Sequence, residues 1–286
     1  MKKLLLQLDA DRHASAFDRI VGYDAGADAV LSYGGVLEDD VRALVHGAIF
    51  TRGPADLHNT AIFIGGAEVA RAERLLEEVQ RTFFGPFRVS VVFDPNGSNT
   101  TAAAAVLKVV RAIGGTVEGR RAVVLAGTGP VGTRVAGLLA RLGAKVAITS
   151  RLPGRAQSAA AQIRERFRES VDALAIAGPE EVAAALEGAE VVLACGPVGV
   201  QLLPRQAWAG RPGLRVAADV NAVPPLGIEG VDSADDGVER DGVLAFGALG
   251  IGRLKMKLHK ACIARAFERN DLILDSEAIY DLAAGL

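Results

Sequence analysis

A chain of 286 residues exceeds the usual single-domain size, and with half of it hydrophobic and 23% charged it has the composition of a well-buried globular α/β protein of two domains. The formal charge is −2, with no large excess of either sign, which argues against a nucleic-acid or other polyanionic partner. Two cysteines far apart, Cys195 and Cys262, exclude a disulfide framework and a CxxC-type zinc site, and they fit a reducing compartment.

The first segment, Met1-Lys2-Lys3-Leu4-Leu5-Leu6-Gln7-Leu8-Asp9, has a basic start but only a short apolar run before Gln7 and Asp9. It is read as a first strand rather than a signal peptide. No stretch approaches the roughly 18 apolar residues that a membrane span requires. The expectation is a cytoplasmic protein that does not enter the membrane. Strands are predicted over 3–8, 61–64 and 88–93, and helices over 37–45, 67–83 and 100–113. The helix over 67–83 has the clearest spacing, with Val69, Ala72, Leu75, Leu76 and Val79 on one face and Arg and Glu opposite. Gly114-Gly115 ends the next helix, and a second series begins. Its strands are predicted over 122–125, 145–149, 171–176, 190–194 and 214–218, with helical stretches between them. A long helix over 250–267 and a short one from Ser276 complete the chain. Strands alternating with helices are the pattern of parallel α/β units. The predicted domains are residues 1–115, joined by the C-terminal helices of 270–286, and residues 116–269.

The second series opens on the most informative segment, Ala122-Val123-Val124-Leu125-Ala126-Gly127-Thr128-Gly129-Pro130-Val131-Gly132. A buried strand runs into GxGxxG, and a helix follows with Val131, Val135, Leu138, Leu139 and Leu142 on one face. In a dinucleotide-binding turn the first glycine makes the tight turn, the second lets backbone approach a pyrophosphate, and the third lets helix and strand pack closely. The helix N-terminus then offers free N–H groups and partial positive charge to the phosphates. Pro130 suits an early helical position because it has no N–H to lose. GxGxxG alone is weak, but here strand, turn, helix and next strand follow in register. The domain of residues 116–269 is therefore expected to be a Rossmann-type dinucleotide-binding domain, with no metal involved.

Cofactor choice turns on the end of the next strand, where an NAD-preferring site has a carboxylate for the ribose 2′-hydroxyl. This chain has Ala147-Ile148-Thr149-Ser150-Arg151, and no carboxylate before Glu165. Ser150, Arg151 and Arg155 are the candidates for a 2′-phosphate, through charge-assisted hydrogen bonds. NADP is expected, and NAD use stays open. Cys195 ends a strand on the nicotinamide side, where it packs rather than reacts. In the first domain, Phe93-Asp94-Pro95-Asn96-Gly97-Ser98-Asn99-Thr100-Thr101 takes a strand through a polar turn into a helix capped by Ser98, Asn99 or Thr100. The segment holds more hydrogen-bonding groups than a cap needs. Asn96, Ser98, Asn99, Thr100 and Thr101 are candidate substrate contacts, because α/β sheets bind ligands at the carboxyl ends of their strands.

The strings Tyr23-Asp24, Thr51-Arg52-Gly53, residues 83–90, 96–101 and 125–132, Pro224-Pro225-Leu226-Gly227, and 246–252 with 254–259 together resemble the bacterial methylene-tetrahydromethanopterin dehydrogenases of one-carbon metabolism. The match runs in order from Leu4 to the C-terminus. The resemblance implies two α/β domains, the first binding the pterin, with the active site in the cleft between them, usually in a homo-oligomer. It implies oxidation of a methylene-tetrahydropterin to the methenyl form with NADP or NAD as hydride acceptor, and some members take the tetrahydrofolate derivative. Hydride transfer leaves a delocalised cation and moves no proton, so the chemistry needs near-attack geometry and negative charge facing the cation. Asp18 is the candidate for that charge. Lys255 and Lys257, in the family's distinctive motif, are candidates to bind pterin oxygens. His259 is read as a packing residue. A bifunctional folate dehydrogenase/cyclohydrolase and a shikimate dehydrogenase both need a lysine in the first domain, and this chain has none between Lys3 and Lys108. A non-enzymatic NADP-binding sensor fits poorly with the polar 96–101 loop and the two lysines.

Overall fold

The computed structural model describes the backbone of residues 1–285. In chain order it contains β1 (Leu4–Asp9), α1 (Ala16–Asp24), β2 (Ala29–Tyr33), α2 (Glu38–Ile49), β3 (Thr60–Gly65), α3 (Val69–Thr82), β4 (Ser90–Phe93) and α4 (Ser98–Ala112). Then follow β5 (Arg121–Leu125), α5 (Pro130–Arg141), β6 (Lys145–Ser150), α6 (Pro153–Phe167), β7 (Asp172–Ala175), α7 (Pro179–Ala185), β8 (Val191–Ala194) and β9 (Val216–Asp219). The chain ends with β10 (Asp236–Arg240), β11 (Val243–Phe246), α8 (Ala248–Ala266), β12 (Ile273–Leu274) and α9 (Ser276–Ala284). None of the described helices is long and apolar enough to cross a membrane.

Two compact units emerge, Met1–Thr100 with Met256–Leu286, and Thr101–Lys255. The division falls inside α4 and inside α8, whereas the sequence reading divided the chain at Gly115 and gave the first domain only residues 270–286 from the C-terminal end. Glycine pairs mark helix ends in sequence, but compactness follows packing.

The first unit carries a parallel sheet in the order β12-β4-β3-β1-β2. Its strands are buried along nearly their whole length in β1, β3 and β4, as parallel strands covered on both faces must be. Leu8, Val41, Ile62, Leu75 and Phe93 meet in its core. The order is the doubly wound 2-1-3-4-5 pattern, whose direction reverses between β1 and β3. The strands end there at Asp9 and Gly65.

The second unit orders its strands β10-β11-β9-β8-β5-β6-β7. From β7 to β11 all pairings are parallel, giving the Rossmann order 3-2-1-4-5-6 with the reversal between β5 and β8. Trp208 lies fully buried among Leu125, Val192 and Ile228, its Nε1–H donating to the Glu229 carbonyl at 2.9 Å. The antiparallel β10–β11 pair adds strands that the sequence reading did not predict. Its two-residue turn, Asp241-Gly242, has positive φ at both positions, the geometry of a tight hairpin.

On α5, a Cβ added at Gly137 would strike the ring of Phe167 at the end of α6. Gly137→Ala is expected to destabilise this unit by about 1–3 kcal/mol through overpacking, read as a lower denaturant midpoint. An unchanged midpoint would mean that α5 and Phe167 do not pack this closely.

Candidate functional site: a dinucleotide turn and a carboxylate-lined strand switch

In the second unit the chain leaves β5 through Ala126, which holds a left-handed φ of 50° although it is not glycine. Such strain persists only where the surroundings enforce it. Thr149, at the end of β6, does so: its Oγ1 accepts the Ala126 N–H at 3.0 Å and its carbonyl accepts the Gly127 N–H at 3.1 Å. The three glycines then divide their work. A Cβ on Gly127 would stand 3.0 Å from the Ile148 side chain and from the Val124 carbonyl oxygen. A Cβ on Gly132 would stand 2.6 Å from the Gly127 Cα, so the first turn of α5 crosses the loop only because both residues are bare. Gly129 differs. Its backbone is extended (φ −85°, ψ 173°), and a Cβ there would meet nothing within 4 Å. Space is open beside Gly129, at the start of a twelve-residue helix whose N-terminus has no side-chain cap. Thr128, Gly129, Pro130 and Val131 thus border a cradle that fits a pyrophosphate.

Arg151 and Arg155 are exposed just beyond β6, and neither side chain has a hydrogen bond or ion pair among the described residues. Ser150 Oγ accepts the Leu152 N–H at 3.2 Å and so shapes the turn into α6. Across the strand reversal, the Cys195 N–H donates to the Leu125 carbonyl. Burial pushes the Cys195 thiol well above its ordinary range, so it stays protonated and packs.

At the end of β4 the 94–101 turn, which runs to the boundary of the first unit at Thr100, is organised around Asp94. This buried carboxylate accepts the N–H groups of Asn99 and Thr100 at 2.9 and 3.0 Å and the Thr100 hydroxyl at 2.6 Å. Ser98 Oγ donates to the Pro95 carbonyl, and the Asn99 amide donates to the Phe93 carbonyl. Ser98, Asn99 and Thr100 are fully buried. Three of the five predicted substrate contacts therefore turn inward and hold the turn. Asn96, exposed at φ 54°, and half-buried Thr101 are the two of the five that are not buried. Asp94→Ala is expected to cost on the order of 3 kcal/mol of stability by orphaning these donors. A chemical-denaturation midpoint within error of the parent would refute that role.

A second carboxylate group lies at the reversal between β1 and β3. Asp9 is buried and accepts the N–H groups of Asp11 and Ser15, each at 2.9 Å; burial pushes its pKa above the ordinary carboxylate value. Ser15 caps α1, accepting the Asp18 N–H at 3.2 Å, and so fixes Asp18 in the first turn. A Cβ on Gly65 would stand 3.4 Å from Asp9 Oδ2 and 3.6 Å from Asp18 Oδ2, which places both carboxylates around the end of β3. His259 on α8 is fully buried, with Nε2 3.8 Å from Asp18 Oδ1. Lys255 is half-buried and Lys257 exposed. Two residues apart on a helix, they diverge by about 200°, so the two predicted lysines do not share a face. His259 lies about 40° from Lys255 on that reckoning. Sequence reasoning missed Asp9, Asp94 and Thr149 as organisers; it read His259 as a packing residue, and the ring is fully buried against Phe63.

Residues 16–96 match the family model described as "Methylene-tetrahydromethanopterin dehydrogenase, N-terminal". The chain is 52% identical over 282 residues to "Bifunctional protein MdtA" of Methylorubrum extorquens, covering 99% of this chain and 98% of that protein. It is 34% identical to the "NAD(P)-dependent methylenetetrahydromethanopterin dehydrogenase" of the same organism, over 99% and 98% of the two chains. Among solved structures, aspartate transcarbamoylase from Trypanosoma cruzi is similar in fold alone, with a TM-score of 0.52, 11% identity, and coverage of 94% and 83%. With full-length relatives at these identities, the chain belongs to the methylene-tetrahydromethanopterin dehydrogenase family of hydride-transferring, nicotinamide-dependent enzymes of one-carbon metabolism.

Proposed function

We propose that the chain oxidises methylene-tetrahydromethanopterin to its methenyl form with NADP as the preferred hydride acceptor and NAD as a weaker one. The observation that carries the cofactor choice is the pair of arginines, Arg151 and Arg155, whose side chains are unengaged among the described residues, beyond the end of β6, a strand that ends in Thr149-Ser150 without a carboxylate. In this reading the turn from Gly127 to Gly132 binds the pyrophosphate, and Ser150, Arg151 and Arg155 read the 2′-phosphate. The backbone at Cys195 borders the nicotinamide. Asn96, Thr101 and Lys255 contact the pterin, while Ser98, Asn99 and Thr100 hold the loop that presents them. The nicotinamide, when bound, supplies the hydride acceptor. The chain's own residues orient the methylene carbon, exclude water, and face the developing cation with the Asp18 carboxylate. The reading includes a homo-oligomer, which sedimentation would reveal.

A second reading keeps the hydride chemistry and takes methylene-tetrahydrofolate. Ring opening of the methenyl product is expected to be absent. It must move protons between nitrogen and oxygen, which calls for a positioned acid–base group, and no lysine stands between Lys3 and Lys108. The test supplies each pterin with each nicotinamide and then follows methenyl absorbance in a weakly nucleophilic buffer at neutral pH. The highest kcat/KM is expected for tetrahydromethanopterin with NADP, followed by a methenyl signal that decays no faster than without protein. Reduction of NADP with neither pterin would refute the function, and decay proportional to protein concentration would reveal a hydrolytic activity.

A further inference from the structure

His259 has a placement that packing alone does not demand. Its imidazole is fully buried and stacks on Phe63, with ring centroids 5.4 Å apart and planes inclined by 17°; Phe17 closes from another side at 6.1 Å. Phe63 is itself buried in β3, two residues before Gly65. A ring held in this stack has little freedom to swing, and the edge it keeps toward α1 is the one bearing Nε2, 3.8 Å from Asp18 Oδ1. The Asp18 backbone N–H donates to the Ser15 cap, which fixes the residue's place in the first turn of α1. A phenyl ring would fill the same slot against Phe63, yet it would offer the carboxylate no donor. A neutral imidazole with its proton on Nε2 orients the carboxylate without cancelling its negative charge. The separation is longer than a hydrogen bond, and such contacts commonly tighten when a substrate binds.

We propose that His259 is a positioning residue for the hydride transfer: its Nε2–H holds the Asp18 carboxylate toward the cation that develops on the pterin. This rests on the role given to Asp18 above. It places no proton transfer on His259, and it separates His259 from Lys255, its neighbour one turn earlier on α8.

Two variants distinguish positioning from packing. His259→Phe keeps the stack on Phe63 and removes the donor; His259→Gln loses the stack and retains an N–H near the Nε2 position. His259→Phe is expected to lower kcat about tenfold with pterin KM changed by less than about twofold, and His259→Gln to recover to within about threefold of the parent kcat. Melting temperatures and NADP affinity are measured alongside, because a loss of fold would lower both. Equal kcat in the two variants, or a better His259→Phe enzyme, would overturn the proposal. A second measurement needs neither activity nor a His259 variant. In protein labelled with 15N in its imidazoles, the His259 resonances should show a proton on Nε2 and should shift in Asp18→Asn. Resonances that ignore Asp18→Asn would also overturn it. A parent protein with that shift but no pterin-dependent hydride transfer would refute the function above and leave the His259–Asp18 contact standing.

Discussion

Gly129→Val is expected to weaken NADP binding by at least about 100-fold, roughly 3 kcal/mol, while the protein keeps its fold. The expectation comes from the contrast among the three glycines of one turn. Gly129 has extended backbone open to any residue, and a Cβ on it would meet nothing within 4 Å, so valine strains nothing in the protein itself. Its methyl groups would stand where the pyrophosphate must approach the helix N-terminus. Gly132→Ala provides the opposite case. Its Cβ would lie 2.6 Å from the Gly127 Cα, so the turn itself must shift and stability should fall together with binding. Calorimetric titration with NADP, paired with thermal melts of both variants, reads the difference. Unchanged affinity in a folded Gly129→Val protein would mean that the phosphates bind elsewhere.

Arg151→Ala should cost NADP about 1.5–3 kcal/mol, some ten- to a hundredfold in kcat/KM, and leave NAD nearly unaffected. Only NADP carries the 2′-phosphate. Arg151 is exposed and without a partner among the described residues, so its removal breaks no internal contact, and the loss can be assigned to the ligand. Arg155 lies one turn further on, and the double variant should lose more than either single one while NAD turnover persists. Parallel losses for the two nucleotides would show that Arg151 acts on something common to both.

Much of the second unit was legible because its signals are local. The Gly127–Gly132 turn declares a strand before it and a helix after it, and each glycine's task follows from what a Cβ there would touch. The strands at 122–125, 145–149 and 190–194 were recognisable as apolar runs, since a parallel strand buried on both faces cannot alternate. The β10–β11 hairpin was equally local, signalled by Asp241-Gly242, but Asp236–Arg240 is exposed and offers no apolar run. Strand β12 is two residues long and exists only by pairing with β4, which no window of sequence contains.

The first unit's site was less legible because burial reverses the meaning of polar residues. Ser98, Asn99 and Thr100 look like ligand contacts in sequence, yet Asp94 and the neighbouring carbonyls satisfy them inside the turn. Asp9 reads as the polar end of a strand; only the parallel pairing of β1 with β3 sets it beside Gly65 and Asp18. His259 and Asp18 lie far apart in the chain, and their proximity depends on the packing of α8 in this unit. The sequence reading kept Lys255 and Lys257 together, although helical spacing alone sets them about 200° apart.

Hydride transfer from the one-carbon bridge is tested most directly with methylene-tetrahydromethanopterin carrying deuterium on the methylene carbon. Incubated with the purified protein and NADP, it should yield methenyl product and reduced nucleotide in equal amounts, with deuterium at the nicotinamide C4 position. Formation of reduced nucleotide without deuterium, or no reduced nucleotide with either NADP or NAD, would contradict the assignment.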